Sequence, residues 1–237
     1  MNATDPRDAA TTLVVRDAPL EVLMLRRAAT ATFPSALVFP GGVVDPEDAD
    51  PAWDALVTGT DGLTAHQRAV RIAAIRETWE ESGLVVAASG RIDPAADRSR
   101  PFLDHVRDAG LILALDELHY FGHWITPEVL AKRWDTRFYL VRAPLDQDAD
   151  AVGGEMLDPQ WLAPAAVLEQ EGARLPFPTQ SNIHRLAESE DVTAAIAAAR
   201  ERPRFTVRPL VQQVAGGRLV RIPAESGYRK LEQLTES

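Results

Sequence analysis

Residues 64–83 read TAHQRAVRIAAIRETWEESG, and the fold is decided by how this stretch is read. Placed on a helix at about 100° per residue, Ile72, Ile75 and Trp79 fall on one side and would face a core. Glu77, Glu80 and Glu81 gather within roughly a 100° arc on the other side, because residues three and four apart are helical neighbours. Thr64 is suited to cap the first turn and Gly83 to end the last one. Three carboxylates so close repel one another, and ordinary helices relieve the crowding with lysine at i+4. Here Glu77 has Glu81 at that spacing, and the nearby cation is Arg76, one turn before Glu80. A Glu-rich helical face is commonly no more than solvated surface. The alternative is a set of hard oxygen ligands for Mg²⁺ or Mn²⁺, whose charge would remove the repulsion.

Outward from the helix, residues 11–16 and 20–27 read as a β-hairpin turning at Asp17-Ala18-Pro19. A short strand at 36–39 runs into Pro40-Gly41-Gly42, which only a loop accommodates. Residues 45–63 are acidic and rich in turn formers, with one short helix expected around Trp53, and the polar start of the chain is expected to fray. Later strand signals lie at 84–87, 118–126 and 137–143, and helical ones near 100–109 and at 164–171, 182–188 and 192–201. Residues 205–214 and 218–222 form a second hairpin about Gly216-Gly217. With no internal repeat, the mixture indicates an α/β or α+β fold in one unit.

The composition bounds the function. A chain of 237 residues with 46% hydrophobic and 25% charged residues can build a real core as one large domain. It has no apolar run long enough to span a membrane and no basic-then-apolar leader, so a cytoplasmic location is the expectation. With zero cysteines, disulfides, thiolate metal sites and cysteine nucleophiles are excluded. A net charge of −10 argues against a nucleic-acid-binding surface. A small anionic substrate would need local help from a metal or from placed arginines. Lys132 and Lys230 are the only lysines, so nearly every cation is an arginine, suited to bidentate phosphate contacts.

The run Arg76-Glu77-Thr78-Trp79-Glu80-Glu81-Ser82-Gly83-Leu84 resembles the second half of the Nudix box, G-x5-E-x7-R-E-U-x-E-E-x-G-U, where U is aliphatic. It departs only at Thr78, which stands where an aliphatic residue is usual. In the first half, Gly42 and Asp48 satisfy G-x5-acid, with Asp in place of Glu. The gap from Gly42 to Arg76 is longer than the standard box permits, which places an insertion at about 49–63. FPGGVVDPED before the gap and RIAAIRETWEESG after it resemble the coenzyme A diphosphatase branch with split boxes. Glu155, six residues before Trp161, and the segment Leu175-Pro176-Phe177-Pro178-Thr179 are similar to features of the family and of that branch.

The resemblance implies a Nudix-type α/β/α sandwich with a mixed β-sheet, a single domain over 1–237 and a C-terminal extension with extra helices from about 180. It implies Mg²⁺- or Mn²⁺-dependent hydrolysis of a pyrophosphate in a nucleoside diphosphate derivative. Coenzyme A or acyl-CoA is the favoured substrate; ADP-ribose or NADH is the alternative, and a non-catalytic ligand sensor is the rival class. Glu77, Glu80 and Glu81 would bind metal, with Glu80 and Glu81 catalytic. Glu155 would be general base or further ligand, or else a plain loop carboxylate beside Gly153-Gly154. Arg76 would orient a box glutamate, and Gly41, Gly42 and Gly83 would shape the loops around it. Arg26, Arg27 and Arg137 are candidates for substrate phosphates, although only one of the adjacent pair Arg26 and Arg27 can point inward. His119 and His123, four apart in a strand, are expected on one face in packing or surface roles. The implied partner is a small-molecule nucleotide, with no nucleic acid and no membrane; a homodimer is compatible with it.

Overall fold

A computed structural model describes residues 5–17, 19–28, 35–151, 156–172 and 174–236. The expected hairpin is present as β1 (Arg7–Arg16) and β2 (Glu21–Arg27), with Val15 opposite Val22. Two short strands follow, β3 (Leu37–Val38) against β2 and β4 (Gly41–Val43) against β1. Two 3₁₀ turns, Pro46–Ala49 and Pro51–Ala55, and strand β5 (Val57–Thr58) lead into helix α1 (Ala65–Ser82). Next come β6 (Ala87–Ser89), α2 (Phe102–Asp108), β7 (Ile112–Ala114), β8 (His119–Ile125), β9 (Trp134–Arg142) and β10 (Met156–Leu162). Helices α3 (Pro164–Glu171) and α5 (Val192–Glu201) fall where the sequence places them, and α4 (Phe177–Leu186) begins earlier than expected. The chain closes with β11 (Thr206–Val207), the hairpin β12 (Leu210–Val214) and β13 (Gly217–Arg221), and β14 (Glu232–Glu236).

The main sheet is mixed, in the order β10-β2-β1-β9-β8-β11. Side chains alternate across it. On β1, Ala10 and Val14 join Leu23 and Leu25 of β2 and Tyr139 and Val141 of β9 in a core against α1. Leu13 and Val15 join Val22, Met24, Phe138 and Leu140 in a second core, which includes Ile183 of α4 and Val192 and Ala195 of α5. These are three layers, helix on sheet on helix. Among the described residues, no helix is long and apolar enough to cross a membrane.

Four expectations are corrected. The start of the chain is not frayed from Arg7 on: β1 pairs parallel with β9 from Arg7 opposite Trp134, and Ala9 and Ala10 are buried. The acidic, turn-rich run 45–63 is not surface loop throughout, because Trp53 is 1% exposed and packs its ring 5.7 Å from that of Phe102. That cover reaches Trp79, whose ring lies 5.3 Å from Phe102, so α1 is buried nearly all round instead of along one stripe. Ala74 and Thr78 face protein as fully as Ile72 and Ile75 do. Finally, a β-bulge between Tyr120 and Gly122 sets His119 opposite Leu140 and His123 opposite Arg137, on different faces of the sheet.

Candidate metal and phosphate site

Helix α1 is held at both ends by its own residues. Thr64 and Gln67 form a reciprocal cap: Gln67 N–H donates to Thr64 Oγ1 at 3.2 Å, and Thr64 N–H to Gln67 Oε1 at 3.0 Å. Gly83 ends the helix in the left-handed region, φ 76°, which glycine adopts without strain. Between the caps, Thr12 Oγ1 donates to the Ala74 carbonyl at 3.2 Å and ties the helix to the middle of β1. The last two turns therefore stand at a fixed height beside β4.

Arg76 is the hub of what lies there. Its Nε and Nη2 each donate at 2.9 Å to the two oxygens of Asp48, a side chain with no solvent exposure. Its Nη1 donates to Glu77 at 2.9 Å and to Glu80 at 3.0 Å, and Nη2 also reaches the Val43 carbonyl at 2.9 Å. Asp48 takes a further bond from its own turn, the Asp45 N–H at 2.8 Å. Glu81 points to the loop, where Gly41 N–H donates to its Oε2 at 2.9 Å. Gly42 passes so close that a Cβ there would sit 2.5 Å from the Glu77 carboxylate. A side chain at Gly41 would strike the backbone of Ala10 and Thr11, at 2.5 and 2.7 Å. The glycines are required by close approach of backbone to carboxylate and strand.

The electrostatics show excess negative charge. Burial pushes the Glu77 carboxyl up to about 7, Arg76 pulls against that, and Glu80 adds to the rise. Glu80 is also raised, by burial first, with Arg76 again opposing. Burial alone would lower the Arg76 pKa, but Asp48 and then Glu77 and Glu80 outweigh it, so it is raised and the guanidinium stays charged. The directions agree physically: Asp48 takes the bidentate edge of Arg76, leaving Glu77 and Glu80 to share one nitrogen.

The donor set fits a hard divalent cation. All its side-chain donors are carboxylate oxygens, Glu80 is one-third exposed, and Glu77 is mostly buried without a full counter-charge. Among the described residues, no three acidic or histidine side chains already converge as a finished coordination shell.

The other expected site residues are distributed unevenly. Strand alternation puts Arg27 on the α1 face with Leu23 and Leu25, whereas Arg26 lies on the opposite face, its guanidinium 3.4 Å from Glu171 of α3. Arg137 is on the α1 face but engaged by Asp8 at 2.8 Å and Asp135 at 3.1 Å. Glu155 lies outside the described residues. The network around Arg137 was missed in the sequence: His66 meets Asp8 at 3.0 Å, and His123 meets Asp135. Period-two alternation of charge in β9 was its one signal.

A model of the NUDIX domain matches residues 6–179. The chain is 32% identical to a Caenorhabditis elegans protein named as a nudix hydrolase, over 78% of this chain and 62% of that one. It is 27% identical to an acyl-coenzyme A diphosphatase of Gallus gallus, over 69% of this chain and 62% of that one. It thus spans about 62% of the length of these curated relatives. A crystal structure of a NUDIX hydrolase from Alicyclobacillus acidocaldarius superposes with a TM-score of 0.66 at 29% identity, covering 82% of this chain and 96% of that one.

Proposed function

We propose that this chain, which belongs to the NUDIX family, hydrolyses the pyrophosphate of a nucleoside diphosphate derivative with the help of Mg²⁺ or Mn²⁺, and that coenzyme A or acyl-CoA is its substrate. The observation that carries the reading is Arg76, which gathers Asp48, Glu77 and Glu80 on one guanidinium beside the Gly41-Gly42 loop. A purely structural ion pair would not need the second and third carboxylates, whose burial raises their pKa values. The split box and the likeness to an acyl-coenzyme A diphosphatase support the substrate.

Glu77, Glu80 and Glu81 would hold the metal, which supplies Lewis-acid neutralisation of the pyrophosphate. The protein's share is positioning. Arg76 fixes the carboxylates of Glu77 and Glu80, and Gly41 N–H fixes that of Glu81. Asp48 keeps the Arg76 fork in plane, acting through that arginine. Hydrolysis adds water across one P–O bond; Glu80, Glu81 and Glu155 are the carboxylates proposed to take part, with Glu155 as base. Of the adjacent pair, Arg27 is favoured as a phosphate ligand, since it lies on the α1 face of β2 and Arg26 faces the other side. Residues 49–63 are read as an insertion within the box that has acquired a core anchor in Trp53.

The test is product analysis with CoA, acyl-CoA, ADP-ribose and NADH at saturating Mg²⁺. The reading requires cleavage of CoA or its acyl ester to 3′,5′-ADP and a phosphopantetheine. Preferential cleavage of ADP-ribose would replace the substrate, and tight binding with no turnover of any compound would make the domain a sensor.

A further inference from the structure

On the main sheet β1 has β4 and the box loop on one flank, and β9 and then β8 on the other. At this second flank, away from the box, a cavity of about 220 Å³ opens between α1, α5, β8 and the connection to β11. Arg71, Arg200, Arg202 and Arg204 line it together with His119 and Tyr120. Four guanidinium groups at one cavity are conspicuous in a chain of net charge −10.

Ion pairing does not explain them. Arg202 alone has a carboxylate partner, Glu188 at 3.2 Å; among the described residues no acidic group lies within 4.0 Å of Arg71, Arg200 or Arg204. Two of these three are held by aromatic faces: Arg71 stands 5.1 Å over Tyr139, and Arg204 stands 5.2 Å over Tyr120. Stacking occupies the flat side of a guanidinium and leaves its N–H edge for an acceptor. Arg71 uses one such group on the Gln67 carbonyl, at 3.3 Å.

A second cavity of about 180 Å³ adjoins the first, sharing Tyr120 and Arg202. Arg185, 7% exposed, backs it. Its Nη1 donates to the Phe121 carbonyl at 3.1 Å and its Nη2 to that of Ser226 at 2.9 Å, while its buried Nε has no hydrogen-bond partner among the described residues. The guanidinium lies 3.2 Å over Tyr228, with no carboxylate within 4.0 Å among the described residues. Among the described residues, the one acidic side chain lining this second cavity is that of Glu225, and it is exposed.

We propose that this cleft binds the phosphate group of a small molecule, at a site separate from the box. Arg71, Arg185 and Arg204 are held by ring faces, Arg71 and Arg185 by backbone carbonyls as well, so an oxyanion meets donors that are largely preset. None of Gly41, Gly42, Asp48, Arg76, Glu77, Glu80 and Glu81 lines either cavity, so the site does not depend on the metal chemistry proposed above.

Calorimetric titration of the full chain in EDTA and low salt tests this, with inorganic phosphate and AMP as separate probes. Saturable binding of both is expected, unchanged by Glu80→Gln. Arg204→Gln and Arg200→Gln, at exposed positions, should each weaken binding by about tenfold or more. Tighter binding of AMP would assign the phosphate to a nucleotide, and equal binding would assign it to the free ion. No saturable binding of either probe overturns the proposal. So does unaltered affinity in both arginine variants with folding intact, or loss of binding in Glu80→Gln alone.

Discussion

Replacing Arg76 by methionine probes the arrangement on which the site depends. Methionine preserves much of the apolar stem but removes the guanidinium that meets both oxygens of Asp48 at 2.9 Å. Asp48 has no solvent exposure, and its remaining bond is from the Asp45 N–H. Stranding one member of a buried pair costs roughly 3 to 5 kcal/mol, because the other charge stays desolvated without compensation. Asp48→Asn in the same background removes that charge and should restore about 2 kcal/mol, so the double variant is more stable than Arg76→Met alone. Urea unfolding in EDTA at neutral pH, run on the parent, both single variants and the double variant, gives the coupling energy. Destabilisation below about 1 kcal/mol in Arg76→Met, or additivity of the two changes within about 0.5 kcal/mol, would refute the argument.

Glu77 supplies a second prediction, in the opposite direction. Its carboxyl is raised from 4.5 to about 7, so the folded metal-free protein favours the protonated form, and stability falls as pH rises from the unfolded value through the folded one. Glu77→Gln removes that loss. In EDTA the variant should match the parent near pH 4 and exceed it at pH 8 by up to about 3 kcal/mol; thermal unfolding across the range checks this, and a variant less stable than the parent at pH 8 contradicts it. Trp53→Ala should destabilise by roughly 3 to 5 kcal/mol, measured by urea unfolding, because the indole is 1% exposed against Phe102. A cost under about 1 kcal/mol would show that Trp53 does not anchor residues 49–63 to the core.

Much of this was legible where local chemistry and periodicity agree. The caps of α1, Thr64 and Gly83, announce themselves because they satisfy backbone groups within a few residues. The first hairpin and helices α3 and α5 carry their own period and turn residues. The pairing of Arg76 with an acidic residue at 48 depends on long-range geometry, and it was approached only through family resemblance. What escaped was set by tertiary contact. Ala9 and Ala10 are too small to register in a hydrophobic pattern, yet parallel β9 recruits them into β1. Trp53 sits in an acidic, turn-rich run, and only its contact with Phe102 of α2 makes it core. The bulge at Tyr120 leaves no mark in the spacing of His119 and His123, although it turns them to opposite faces.

Turnover measured with and without divalent metal, in the parent and in Glu80→Gln and Glu81→Gln, bears most directly on the proposed hydrolysis. With CoA as substrate and released 3′,5′-ADP quantified, the parent should require Mg²⁺ or Mn²⁺. Each variant should lose at least ~100-fold in kcat while remaining folded, since several kcal/mol of transition-state stabilisation goes with a ligand. Undiminished turnover in either variant, or equal turnover of the parent in EDTA, would contradict the assignment of the metal to these carboxylates.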